Sequence, residues 1–139
     1  TWLVMDIYNG DYIDDIGNKE GWPEEYLRKN RETTDVQRVG FMKAVKRGVK
    51  LAYGTDSGVY PHGQNAKQFA YMVRYGMTPM QAIQSATIRA AELLGKEKML
   101  GAIAAGRFAD LVAVKENPLT NITALEHIAL VMKDGKIVR

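Results

Sequence analysis

Two short apolar runs, each followed by helix-patterned sequence, restrict this chain more than any other feature. Trp2–Tyr8 and Val49–Tyr53 are continuous enough to be strands buried on both faces. Such strands pair in parallel through a right-handed crossover helix, and two of them cannot close a sheet or cover both its faces. The sheet they predict has open edges and uncovered apolar faces, so this part of the chain is expected to need a partner.

The rest of the chain divides in two. After Trp2–Tyr8, Asn9-Gly10 reads as a turn. The polar stretch from Asp11 to about Arg31, with Gly17, Gly21 and Pro23, reads as a functional loop with a turn or two of helix around Glu24–Asn30. Thr34 is a plausible N-cap for a helix whose apolar positions Val36, Val39, Phe41, Met42 and Val45 recur until Gly48. A helix from about Asn65 to Tyr75 is expected to stop at Gly76. Thr78, Pro79 and Gln81 spell a capping box with proline at the first helical position, opening a helix that runs to Gly95. From Lys96 the pattern turns to short strands, around Gly101–Ile103, Asp110–Val114, Ile128–Met132 and Lys136–Val138. Asp134-Gly135 joins the last two, and an Asp-Gly pair suits a type I′ turn because both central residues need positive φ. The fold class is α/β, with residues 1–95 forming strand–helix units and 96–139 a small antiparallel segment.

Composition excludes several functions. A formal charge of +3 with scattered lysines and arginines is too mild for a nucleic-acid footprint. No apolar run is long enough to span a bilayer, so no membrane partner is expected. The start, TWLVMDIY, has neither an initiator Met nor the basic region of a signal peptide, and any such leader is expected upstream. Localisation therefore stays unassigned. There is no cysteine, so thiolate metal sites are out, and two histidines cannot by themselves supply the protein ligands of a catalytic zinc.

Asp56 follows the second strand and precedes a helix, where α/β proteins place their chemistry. A carboxylate there can bind a divalent ion and accept a proton; the same G-T-D-S-G spacing equally makes an Asx turn or cap, which spacing alone favours. His62, between Pro61 and Gly63, either orients a substrate or is an exposed loop residue. Tyr8 and Tyr12, with Asp11, Asp14 and Asp15, are either substrate contacts or a solvated loop, the second being the plainer reading. His127 reads as a surface residue.

Several motifs occur in one order: G-T-D-S-G at 54–58, P-H-G-Q-N at 61–65, G-M-T-P-M-Q-A-I at 76–83, A-T-I-R-A-A-E-L-L-G at 86–95, L-G-A-I-A-A-G-R-F-A-D-L-V-A-V at 100–114, and the tail N-P-L-T-N-I with V-M-K-D-G-K-I. Together they resemble the amidohydrolase superfamily, and T-W-L-V with Y-P-H-G-Q-N looks most like its Xaa-Pro dipeptidase (prolidase) and carboxypeptidase branch. The resemblance implies a (β/α)8 TIM barrel carrying a small composite β-sandwich. Trp2–Tyr8 and Val49–Tyr53 would be the last two barrel strands, and residues from about Leu100 would belong to the sandwich. It implies a hydrolase of amide bonds in dipeptides or N-acyl amino acids, dependent on one or two divalent ions such as zinc. In that reading Asp56 is metal ligand and general base, which reverses the preference for a turn, and His62 and Tyr8 lie on the substrate side. The family's remaining ligands have no counterpart among these residues. The resemblance therefore implies a C-terminal portion, completed by a missing N-terminal barrel portion or a second chain and inactive alone, within a homo-oligomer. The rival reading is a non-catalytic remnant that only packs or associates.

Overall fold

The computed structural model describes residues 1–139. Strand β1 (Leu3–Met5) pairs in parallel with β2 (Leu51–Tyr53), Leu3 opposite Leu51 and Met5 opposite Tyr53. Between them run α1 (Asn9–Glu20) and α2 (Glu24–Lys46); after β2 come α3 (Lys67–Arg74), α4 (Pro79–Ala86) and α5 (Ile88–Leu93). Phe41 and Ala44 of α2, Met72 of α3 and Ala82 of α4 close over Ile7 and Leu51 to form the main core. Along β1 only one side is covered in this way, Ile7 being 0% exposed and Val4 51%, whereas Leu51 and Ala52 of β2 are both buried. The strands form no closed barrel.

The C-terminal part is a second sheet, antiparallel, in the order β3 (Leu111–Val114), β4 (Ile128–Lys133) and β5 (Lys136–Ile137). The β4–β5 turn has Asp134 at φ 54° and Gly135 at φ 76°, the double positive φ of a type I′ turn. Asp110 fixes it from outside, accepting the Asp134 backbone N–H at 2.8 Å and the Lys133 ammonium at 2.5 Å. No helix is long and apolar enough to cross a membrane.

Four expectations need correction. The stretch Asp11–Glu20 is not a loop, and Asn9-Gly10 is not a turn but the first residues of α1, while the helix expected around Glu24–Asn30 is present as the start of α2. Two of the glycines that suggested irregular structure are contact residues: a Cβ at Gly10 would collide with the Thr34 side chain, and one at Gly17 would lie 2.8 Å from Leu27 Cδ2, whereas Gly21 is the left-handed C-cap that ends α1. Gly10 and Gly17 let α1 and α2 pack backbone against side chain. Thr34 is no N-cap. It sits inside a single 23-residue helix that starts after Pro23, where Glu25–Lys29 and Arg28–Glu32 pairs at 2.8 and 2.7 Å line successive turns. The helix opened by the Thr78 box breaks at Thr87, whose φ and ψ of −121° and −98° are not helical. Gly101–Ile103 is irregular and forms no strand. The capping box itself is present in both directions, Gln81 N donating to Thr78 Oγ1 at 3.2 Å and Thr78 N to Gln81 Oε1 at 2.8 Å.

Candidate functional site

The carboxyl ends of β1 and β2 lie side by side, and the chain leaving each carries polar residues. The exit from β1 is held by Gln68 of α3, which is completely buried. Its Oε1 accepts from the backbone N–H groups of Ile7 and Tyr8 at 3.1 and 2.9 Å, and its Nε2 donates to Met5 O at 2.8 Å. One side-chain amide thus replaces the strand neighbour that Ile7 and Tyr8 lack, and adds a second donor at Met5 O. Gln37 of α2 adds a donation to Asp6 O at 2.8 Å.

Held in this way, Asp6 and Asn9 face Asp56. The Asn9 amide donates to Asp6 Oδ2 at 2.8 Å and to Asp56 Oδ2 at 3.3 Å, tying two carboxylates from adjacent strand ends through one buried side chain. Burial, reinforced by repulsion from Asp56, pushes the Asp6 carboxyl above its usual range against an opposing backbone hydrogen bond. Asp56 is exposed and has φ 48°, a left-handed conformation that aspartate tolerates better than most residues but still at a cost of about 1 kcal/mol. The Asn9 Oδ1 atom is buried and has no partner.

Beside the carboxylates stands a wall of tyrosines. Tyr8 is buried and packs edge-on against Tyr60 and Tyr71, with ring centroids 5.0 and 5.2 Å away, and Tyr12 meets both Tyr8 and Tyr60. Burial pushes the Tyr60 phenol up, helped by Tyr8, Asp6 and Asp56. Its hydroxyl meets no partner at full hydrogen-bond geometry, although Thr55 lies near enough to oppose part of that rise. Behind Tyr71, Arg38 of α2 pairs with Asp11 at 2.5 Å and Tyr71 donates to the other Asp11 oxygen at 2.6 Å.

Of the residues singled out in the sequence, Asp56 and Tyr8 come to this end of the sheet. His62 lies in the exposed loop beyond, its Nδ1 3.4 Å from Ser57 Oγ, so its hydrogen-bond partner is Ser57 and not Asp56. Asp11 belongs to the Arg38 network, while Asp14 and Asp15 face outward from α1. Asp6, Asn9 and Gln68 were missed. A charged residue inside the apolar run TWLVMDIY was the available signal for Asp6; nothing local marks Gln68, whose role depends on a chain segment sixty residues away.

The donors fit a hard divalent ion only in part. Asp56 holds one oxygen against Asn9 and makes no hydrogen bond through the other, and Asp6 is a second oxygen donor close by, but no group of three potential ligands exists in the chain.

Paired strand–helix units with an acidic site at the carboxyl ends of parallel strands define an α/β protein of the kind that binds ligands there. The chain belongs to the amidohydrolase family, whose pattern it matches over residues 5–138. A crystal structure of a Xaa-Pro dipeptidase with methionine bound in its active site superposes with a TM-score of 0.90 at 42% identity, covering 100% of this chain and 34% of that one. A prolidase complexed with N-methylphosphonate-L-proline gives 0.89 at 26% identity, covering 100% and 35%. Among curated proteins, the ochratoxinase of Aspergillus niger is 35% identical over 127 residues, 88% of this chain and 26% of the relative. The chain therefore spans roughly a quarter to a third of the length of these three proteins.

Proposed function

We propose that this chain is the closing section of a metal-dependent amide hydrolase, acting on dipeptides or N-acyl amino acids. The observation that carries it is the Asp6–Asn9–Asp56 constellation at the carboxyl ends of two adjacent parallel strands in an amidohydrolase chain. In this reading residues 1–95 are the last two strand–helix units of a (β/α)8 barrel and 96–139 part of a β-sandwich. Support comes from the open sheet edges and from an apolar cleft of 510 Å³ between α4–α5 and the antiparallel sheet, lined by Ile83, Leu94, Ile103, Phe108, Val112 and Leu125. Such a cleft left open is a liability that further chain would remove.

A bound divalent ion, zinc being the first candidate, would polarise the scissile carbonyl and acidify the attacking water. The chain's own residues do the rest. Asp56 would hold the ion through a carboxylate oxygen and would serve as the base for the attacking water's proton and as the donor of that proton to the leaving amine. Asn9 fixes the rotamer of Asp56 by donating to Oδ2. Asp6, whose carboxyl is raised by burial, shares the Asn9 donor and tempers the charge beside Asp56. Tyr8 and Tyr60 wall the substrate side and exclude water, and His62 contributes from the outer loop.

The test is Asp56→Asn in the complete barrel. Turnover should fall by about 10²–10⁴-fold, the usual contribution of a positioned acid–base group, with the fold retained. Near-normal turnover would sink the assignment. The rival, a chain that only packs or associates, is favoured by the absence of any three-ligand group. Metal analysis separates the two: the complete protein should hold stoichiometric zinc or another divalent ion through mild chelation, and a remnant none.

A further inference from the structure

Asp56 sits near the start of a pliable loop. Residues 54–64 leave β2 and lead to α3, and two glycines among them, Gly58 and Gly63, take positive φ of 134° and 97°. Between Thr55 and Gln64 the loop makes one hydrogen bond outside itself and the chain that follows it, the 3.3 Å donation from Asn9 to Asp56. Its backbone bonds, such as Val59 N to Asp56 O at 3.3 Å and Gly58 N to Tyr60 O at 3.2 Å, are internal. A loop bonded in this way has little of its own with which to hold Asp56 at φ 48°, a conformation that persists only where the surroundings over-determine it.

Tyr53 supplies the constraint. It is the last residue of β2, opposite Met5, and its hydroxyl crosses the loop to donate to Asn65 O at 2.6 Å, a bond between residues twelve positions apart. The same carbonyl accepts from Gln68 N at 3.2 Å, and Asn65 Oδ1 accepts from Gly63 N at 3.0 Å, so Asn65 gathers the end of the loop at one point. The Tyr53 ring is fixed as well, because Phe69 of α3 lies tilted against it with centroids 4.4 Å apart. Burial, with Tyr60 and Glu126 nearby, pushes the phenol far above its ordinary range and keeps it a protonated donor. A bond that joins the two ends of a loop removes freedom from everything between them, and here that includes Asp56, Tyr60 and His62.

We infer that Tyr53 is a positioning residue: its hydroxyl clamps the 54–64 loop shut against β2 and so holds Asp56 in the left-handed conformation that keeps one carboxylate oxygen on Asn9. That this conformation serves turnover rests on the proposed hydrolase reading. Tyr53 itself touches neither ion nor substrate in this scheme; its effect passes through Asp56.

The test is Tyr53→Phe in the complete protein, which keeps the ring and its contact with Phe69 and removes one hydroxyl. Circular dichroism confirms the fold. Hydrogen exchange read by mass spectrometry should speed about 3- to 10-fold across residues 54–64, the effect of one lost hydrogen bond, with α2 and the antiparallel sheet unchanged. In dipeptide turnover kcat should fall by a similar factor at constant KM. Combined with Asp56→Asn, Tyr53→Phe should cost nothing further, because it acts only through that carboxylate. Faster loop exchange in a protein without turnover upholds the clamp while refuting the hydrolase reading. Loop exchange that is unchanged in Tyr53→Phe, or raised equally throughout the chain, overturns the clamp; a kcat loss as large in the Asp56→Asn background as alone overturns the positioning role.

Discussion

Replacing Gln68 with leucine tests the claim that one buried amide substitutes for a missing strand. Leucine fills a similar volume but makes no hydrogen bonds, so the Ile7 and Tyr8 backbone N–H groups lose their only acceptor inside the protein. Met5 O is less affected, since it also accepts from Gly54 N at 3.1 Å. Two orphaned donors cost about 1–3 kcal/mol each, and the gain from burying an apolar side chain returns part of that, giving a net loss of about 2–4 kcal/mol. Urea unfolding of the protein followed by circular dichroism should show the midpoint about 1–2 M lower at an unchanged slope. Gln68→Glu is the control. Protonated, it reproduces the amide's pattern with one acceptor oxygen and one O–H donor, so it should approach wild-type stability at acid pH. The gap should then open as pH rises past the ordinary glutamate pKa of about 4.3, because the raised folded-state pKa confers its stability only on the protonated form. A loss below about 1 kcal/mol in Gln68→Leu, or a Gln68→Glu variant indifferent to pH, would refute the reasoning.

Two further outcomes are expected. Burial raises the Asp11 carboxyl, but Tyr71 and Arg38 more than reverse this and leave it below the ordinary value of 3.8. The stability this pair lends is present above the unfolded value and disappears as pH falls through the lower folded one. Acid titration of unfolding should therefore show a loss below about pH 4 that Asp11→Asn flattens, with a cost of about 1 kcal/mol at neutral pH, modest because the Asp11 side chain is 39% exposed. Gly10→Ala should destabilise by about 1–3 kcal/mol through collision with Thr34, and Thr34→Ala should recover most of it in a double-mutant cycle followed by thermal unfolding.

The sequence was most readable where structure is local. The Thr78–Gln81 capping box, the Asp134-Gly135 turn and the helix stop at Gly76 each depend on residues a few positions apart, and each is present in the fold. The stretch from Asn9 to Thr34 was misread for the opposite reason. Gly10 and Gly17 look like loop residues until α2 comes within contact distance of α1, where no larger residue would fit. The site divides along the same line. Asp56 could be singled out because a strand followed by a turn is a local pattern, and the family motifs gave it a chemical role. The remainder of the site is non-local: Asp6 and Asn9 meet Asp56 because β1 and β2 pair in register, and Gln68 finds Met5–Tyr8 because α3 packs back across the strand end.

By itself, then, the sequence determined the α/β class, the pairing of two buried strands with helices, the antiparallel tail and Asp56 as a candidate, all of which follow from short-range hydrophobic periodicity and turn chemistry. Tertiary structure alone decided that Asn9 would bridge two carboxylates and that Gln68 would stand in for a strand. These depend on distances between residues about forty-five to sixty positions apart, set by sheet register and helix packing and written in no local pattern.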